Sequence, residues 1–338
     1  MIKTISKLLI AGALFSGFLF SCNNHAKPNK KKELTGNADS LEILTKKIIA
    51  DSNNYKLYLK RAQLYLKKNR VDPCLRDLTK TLSFNVKDPE IYYTLSDTYF
   101  ILGKIQESID ALKKAVDINP QRQESYIKLA RLYLILKEYN QATRLSDRAI
   151  SLNPDNPRPF FIKAMINIEQ GDTASSVQNL RLALNLDKKY FEANMQLGTI
   201  LSMQKDSSSI YYFKNALKQK PGNYAAYYGL AMAFQNSGNS DSALSVYDTI
   251  LKYFPDNTQA LFNKGYIYLV EKGSYKDAEN CFKKVIELDS TYVEAVYNLG
   301  RTYEAENNID KAEYFYRKAL KLVPNYPLAI RGLSRIDR

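Results

Sequence analysis

Eight segments of this 338-residue chain recur at a nearly constant interval, and that interval limits the fold more than any single residue does. YLKRAQLY begins at Tyr58, YYTLSDTY at Tyr92, YIKLARLY at Tyr126 and FFIKAMIN at Phe160, in steps of 34. NMQLGTIL (Asn194), YYGLAMAF (Tyr227), LFNKGYIY (Leu261) and VYNLGRTY (Val296) follow at steps of 34, 33, 34 and 35. A unit this short cannot enclose a core, so it buries its apolar face by stacking on its neighbours. Only 13 Gly and 11 Pro are present, which suits long helices better than a turn-rich sheet.

The small residues show how the stacking works. The fifth residue of each segment is Ala62, Ser96, Ala130, Ala164, Gly198, Ala231, Gly265 or Gly300. A second set follows within each unit: Cys74, Ser108, Ala142, Ser176, Ser209, Ala243, Ala278 and Ala312. Facing small residues let two helices of a hairpin approach closely, and a third set (Ala115, Ala149, Ala183, Ala216, Ala319) fits the seam to the next unit. Gly103, Gly171, Gly238 and Gly273, with Asn69 and Asn307, mark turns that require a left-handed residue. Pro120, Pro154, Pro221, Pro255 and Pro324 close the second helices. The uneven steps are assigned to loops, a shortened turn at Gln204–Ser207 and a lengthened one at Glu271–Tyr275.

Period and motif together resemble the tetratricopeptide repeat: an aromatic, then Leu-Gly and Tyr, later Ala, an aromatic and Pro. The resemblance implies an all-α fold, a right-handed α-solenoid of about eight helical hairpins with a helix at each end. The repeats start near 55, 89, 123, 157, 191, 224, 258 and 293. Ser40–Ala50, with Leu41, Leu44, Ile48 and Ile49 on one face, reads as the opening helix, and residues 326–336 as the C-terminal cap. One continuous array over 40–338 is expected.

The N-terminus has a different character. Residues 1–21 carry Lys3 and Lys7 and then an apolar run from Leu8 to Phe20, too short to span a bilayer and fitting a cleaved export signal. Leu19-Phe20-Ser21-Cys22 resembles the lipobox of bacterial lipoproteins, which implies that Cys22 is acylated and becomes the first residue. Phe20 stands where that family usually has a small residue. The alternative is a plain cleavage site beside an unrelated Cys, and Leu19 suits it poorly. Residues 22–39, with Lys27, Lys30, Lys31 and Lys32, read as a disordered basic tether that touches anionic headgroups or is simply solvated. The expected location is a bacterial membrane, with the periplasmic side of an outer membrane ahead of the inner one.

Composition narrows the chemistry. The single His, His25, lies in the tether, so the repeats contain no imidazole for a Ser-His or Cys-His constellation or a zinc site. Cys74 and Cys281 are far apart, without metal spacing, and read as packing residues. No phosphate loop or nucleophile elbow is present. No enzyme activity, catalytic residue, metal, cofactor or small-molecule substrate is therefore expected. Of the formal charge of +14, the signal and the tether hold +2 each and the array +10. Export and the lack of a base-reading pair in each repeat argue against nucleic acid. Acidic envelope partners, anionic lipid or solubility alone account for the charge equally well.

In the resembled family, the first helices line a groove where peptides or partner proteins dock. The corresponding row is Leu59, Tyr93, Ile127, Phe161, Met195, Tyr228, Phe262 and Tyr297. Phe100-Ile101 and Leu134-Ile135 add apolar pairs beyond the motif tyrosines. With Tyr93, Ile127, Phe161 and Ile168 they are expected to form an apolar partner-binding floor in the second to fourth repeats, or a face covered by the N-terminal helix or a second copy. Gln196, Asn263, Asn298 and Arg301 make the later groove more polar. Leu59 and Gln63 replace the Lys and Asn of carboxylate-clamp members, so a C-terminal carboxylate is not the expected ligand. The reading is a lipid-anchored protein-interaction scaffold or assembly factor of the cell envelope, its partner unnamed. A non-catalytic regulatory subunit of an envelope enzyme or cell-wall complex is the alternative.

Overall fold

The structure, a computed structural model, describes residues 34–337. The signal segment, Cys22 and tether residues 23–33 lie outside the described residues. All regular structure among the described residues is helical, and no described helix is long and apolar enough to cross a membrane.

The chain divides after Leu186 into two compact units, where the repeat pattern alone led to one array. Each repeat touches chiefly its neighbours, so such a division leaves no mark in the pattern. The N-terminal unit opens with α1 (Leu34–Ala50). Its hairpins are α2 (Tyr55–Lys67) with α3 (Val71–Leu82), α4 (Pro89–Ile101) with α5 (Ile105–Ile118), α6 (Gln123–Ile135) with α7 (Tyr139–Leu152), and α8 (Pro157–Glu169) with α9 (Thr173–Leu186). In the C-terminal unit α10 (Phe191–Met203) pairs with α11 (Ser209–Gln219), α12 (Tyr224–Asn236) with α13 (Ser240–Tyr253), α14 (Thr258–Ile267) with α15 (Tyr275–Leu288), and α16 (Val293–Ala305) with α17 (Ile309–Leu322). Helix α18 (Pro327–Ile336) closes that unit.

Local chemistry explains the starts and stops. Asp88 and Asn156 cap α4 and α8 by accepting from the backbone N–H two residues on, and each is followed by Pro at the first helical position. Asn223, Asn239, Asn257 and Asn308 cap four helices of the C-terminal unit by accepting from the backbone N–H three residues on. Gly103 (φ 72°) and Gly171 (φ 80°) take the left-handed turn position. Lys137 (φ 60°) and Lys205 (φ 59°) occupy the same position in the third and fifth repeats, which the pattern did not reveal. Helix α1 starts at Leu34, six residues before Ser40, inside the stretch read as tether.

Every member of the three small-residue sets is buried. What faces them differs between the units. In the N-terminal unit Leu78, Leu112 and Leu180 pack at one register position of the second helices. At that position the C-terminal unit carries Phe213, Tyr247, Phe282 and Tyr316, all buried. A Cβ on Gly300 would come within 2.8 Å of the Tyr316 ring, and one on Gly229 within 2.4 Å of the Phe213 ring. The glycines there are recesses for aromatic rings rather than points of backbone contact.

Both uneven repeats depart from the loop assignment. The extra residue of the seventh repeat is absorbed in a π-helical turn, Tyr268–Lys272, because i→i+5 bonding fits one more residue into a turn. In the short fifth repeat the second helix has 11 residues where α5 has 14, while the turn before it, 204–208, is longer than the turn 102–104 of the second repeat.

One buried acid sets a pH response in the C-terminal unit. Glu279 accepts from Lys283 at 2.6 Å, Tyr303 at 2.7 Å and Lys276 at 3.0 Å. The Lys283 bond, aided by Tyr303 and Lys276 against the cost of burial, pulls its carboxyl from the ordinary 4.5 down to about 2. A carboxyl depressed in the folded state stabilises fully above its unfolded value, and the contribution fades as pH falls toward 2. Glu279→Gln is therefore expected to be less stable near neutrality and to lose less between pH 5 and pH 2, as followed by urea unfolding at each pH.

Candidate functional site

The first helices of the N-terminal unit are joined by polar contacts one repeat apart. Arg122 pairs with Glu90, and its guanidinium lies 4.0 Å from the centroid of the Tyr93 ring. The Tyr93 hydroxyl shares a short hydrogen bond with Ser125 Oγ. Lys128 Nζ donates to both carboxylate oxygens of Asp97, at 2.6 and 2.8 Å. Arg158 grips Glu124 with two bonds, at 2.6 and 3.2 Å. Gln63 Nε2 reaches Thr94 Oγ1 at 3.4 Å.

These residues surround a cavity of about 230 Å³, lined by Gln63, Leu66, Glu90, Tyr93, Thr94, Asp97, Arg122, Glu124 and Lys128. Its lining comes from the first three repeats, each first helix presenting one face. Burial pushes the Tyr93 phenol above its ordinary range, against the opposing pull of Ser125 and Arg122. Across the wall the cations Arg122 and Lys128 of the third repeat meet the carboxylates Glu90 and Asp97 of the second, so these charges come in pairs. Such a surface can exchange its internal partners for the amides and side chains of a polypeptide. Among the described residues no cluster of His, Cys, Asp and Glu could hold a metal ion. Burial raises the Cys281 thiol to about 11, far from the thiolate a nucleophile needs.

The apolar floor expected from sequence is not formed. Tyr93, Ile127 and Leu134 are core residues: Tyr93 packs with Leu129 and Leu132, and Ile127 and Leu134 with Ile162 and Met165. Phe100, Phe161 and Ile168 are half-buried against those clusters. Of the residues singled out, Ile101 and Ile135 alone are exposed, at the hairpin tips. The row position points between a first helix and the helices behind it, so its apolar side chains close the seam instead of opening into the groove. Leu59 and Tyr297 in the same row are buried for that reason. The residues that do line the cavity left a signal that was missed, opposite charges recurring about one repeat apart: Glu90 with Arg122, Asp97 with Lys128, Glu124 with Arg158.

In the C-terminal unit, Asn263 donates to Tyr228 at 3.2 Å and to Tyr247 at 3.0 Å. Asn298 is buried, donating to the Glu294 carbonyl at 2.8 Å and accepting from Arg301 at 3.2 Å. These polar residues serve mainly to satisfy one another.

Two models of the tetratricopeptide repeat match, one over residues 89–122 and 123–156, the other over 207–261 and 269–336, together more than half of the chain. The chain belongs to the tetratricopeptide-repeat family. Its all-α fold is that of other repeat proteins of this family. The C-terminal part of a TPR repeat-containing protein from Cytophaga hutchinsonii aligns over 70% of this chain and 98% of its own, with TM-score 0.60 and 19% identity. PilW, described as a widely conserved type IV pilus biogenesis factor, aligns over 62% of this chain and 98% of its own, with TM-score 0.50 and 19% identity. In sequence, the photosystem I assembly protein Ycf3 of Acaryochloris marina is 30% identical over 124 residues, 32% of this chain and 74% of that protein. Human protein O-mannosyl-transferase TMTC3 is 26% identical over 178 residues, 52% of this chain. The chain spans only 20% of the length of that transferase.

Proposed function

We propose that this tetratricopeptide-repeat chain is a non-catalytic scaffold of the bacterial cell envelope, held to a membrane by acylation of Cys22, that binds a segment of a partner protein. The observation that carries the reading is the cavity between the first three repeats, where Glu90, Asp97, Arg122 and Lys128 converge from successive helices. An enzyme would need a reactive group there, whereas these residues offer paired charges and hydrogen bonds, the means of recognition. The named role of the Ycf3 relative, assembly, supports a binding function. The transferase activity of TMTC3 is not carried over, because so little of that protein is matched. The Leu19–Cys22 motif supports the anchor and, with it, the exported location, the periplasmic side of an outer membrane before the inner one.

A photoreactive residue at Gln63, on the exposed rim, should crosslink a defined partner in cells. Lys128→Glu, facing Asp97, should reduce that crosslink about tenfold, while a pair this exposed costs at most ~1 kcal/mol of stability. Equal crosslinking by the variant, or of the same partner from exposed Lys113 on a second helix, would remove the groove reading. Separately, Cys22→Ala should abolish labelling by palmitate and release the protein from membranes. A variant that stays labelled and bound would remove the anchor and leave the groove untouched.

A further inference from the structure

The tips of the second and third hairpins carry an aliphatic ridge that the groove does not use. Ile101 and Leu102 end the first helix of one hairpin, 47% and 42% exposed, and Ile135 and Leu136 end that of the next, 42% and 40% exposed. Elsewhere on the same helices the large aliphatics are covered: Ile91, Leu95, Leu129 and Leu132 are all buried. Phe100 and Ile135 border one cavity of about 80 Å³, which sets the two tips side by side.

Cations surround this ridge. The tips Lys67–Arg70, Ile101–Lys104 and Ile135–Glu138 hold five Lys and Arg residues and one acid, Glu138. Among the described residues Lys67, Arg70, Lys104 and Lys137 form no ion pair. The next tip, Glu169–Asp172, is acidic, so the basic stretch has a definite end. Lys137 stands at φ 60°, a position that glycine fills in the hairpins on either side. The turn therefore carries a side-chain cation where its neighbours carry none.

We propose that this ridge is a membrane contact, with the four aliphatic side chains entering the headgroup layer of an anionic bilayer and the surrounding cations meeting its phosphates. Exposed aliphatics ringed by lysine and arginine match what an anionic interface offers, apolar depth beneath a negative surface. The four side chains sit at hairpin turns, about half exposed, and only Ile135 also borders the small cavity, so they present an edge to a flat surface and do not enclose a chain. The contact is a property of the repeats themselves and holds whether or not Cys22 is acylated. On an anchored chain it would fix which edge of the N-terminal unit faces the lipid.

The test uses the full chain with Cys22→Ser, so that no acyl group contributes. It is sedimented with phosphatidylcholine vesicles, with and without about 30% phosphatidylglycerol. Amide exchange is followed over residues 99–106 and 133–140. Binding should require the anionic lipid, and exchange at both tips should slow on the vesicles. Ile101→Ser with Ile135→Ser, or Lys104→Glu with Lys137→Glu, should each lower binding about tenfold with the melting temperature unchanged. Lys137→Gly should raise the melting temperature while weakening binding. All variants share one N-terminus, so the differences report the ridge alone. Equal binding to phosphatidylcholine, equal binding by the variants, or vesicle protection confined to other segments would overturn the proposal. Capture of polyglutamate without vesicle binding would overturn it in favour of an acidic polypeptide. Should a double variant fail to fold, exchange in the parent decides: tips slowed on anionic vesicles support the contact, and tips unchanged refute it.

Discussion

Replacing Ile127 by Asp is expected to unfold much of the N-terminal unit, at a cost on the order of 3–5 kcal/mol. Ile127 is wholly inaccessible, packed in the cluster that includes Leu134, Ile162 and Met165. A carboxylate buried among those apolar side chains would take up a proton or force the site open. Ile101→Asp is the matched control, because that residue is 47% exposed and should change stability by no more than about 0.5 kcal/mol. Denaturant unfolding followed by circular dichroism separates the two. The curve need not be two-state, since repeat arrays lose structure in blocks, and the onset of unfolding is the quantity to compare. Equal onsets for the two variants would show that the burial of Ile127 is wrongly assigned.

The second large effect is expected at Asp77. Its carboxylate holds Arg61 through two bonds of 2.7 Å, and both side chains are largely shielded from water. A third bond, from Arg61 to Thr45 Oγ1 at 3.0 Å, ties α1 to the first repeat. Asp77→Ala would leave the guanidinium shielded without its counter-ion, at a cost of about 3–5 kcal/mol. Asp77→Leu combined with Arg61→Met should recover most of that loss, because two apolar side chains need no partner. A double variant as unstable as Asp77→Ala would show that the pair acts through shape and not charge. Exchange of the α1 amides should rise in Asp77→Ala if Arg61 is what docks that helix.

Much of the hairpin architecture was legible. Small residues at a fixed period can be read directly, because close approach of two helices admits nothing larger, and all of them proved buried. Turn glycines were legible for the same kind of reason, a backbone need that few residues meet. Where two residues can meet the same need the signal failed, as at Lys137 and Lys205, which hold the left-handed turn position without glycine. The uneven steps were read as loop changes, yet one residue entered a π-turn and the short repeat has a shorter second helix, since helix length yields as readily as loop length.

The candidate site was far less legible. Apolar residues on first helices suggest a surface, whereas Tyr93, Ile127 and Leu134 form the seam. Period alone places a residue on a helix but not on one side of a helix that has neighbours on three sides. By itself the sequence determined the repeat, its helical hairpins, their small-residue seams and the absence of imidazole chemistry within them. Those properties are local, or recur at one spacing. Only the tertiary structure decided which apolar side chains are covered, that the groove is walled by ion pairs from successive repeats, and that glycines in the C-terminal unit make room for rings. Each of these depends on side chains from different repeats meeting in space, and a period records their spacing but not the direction in which they point.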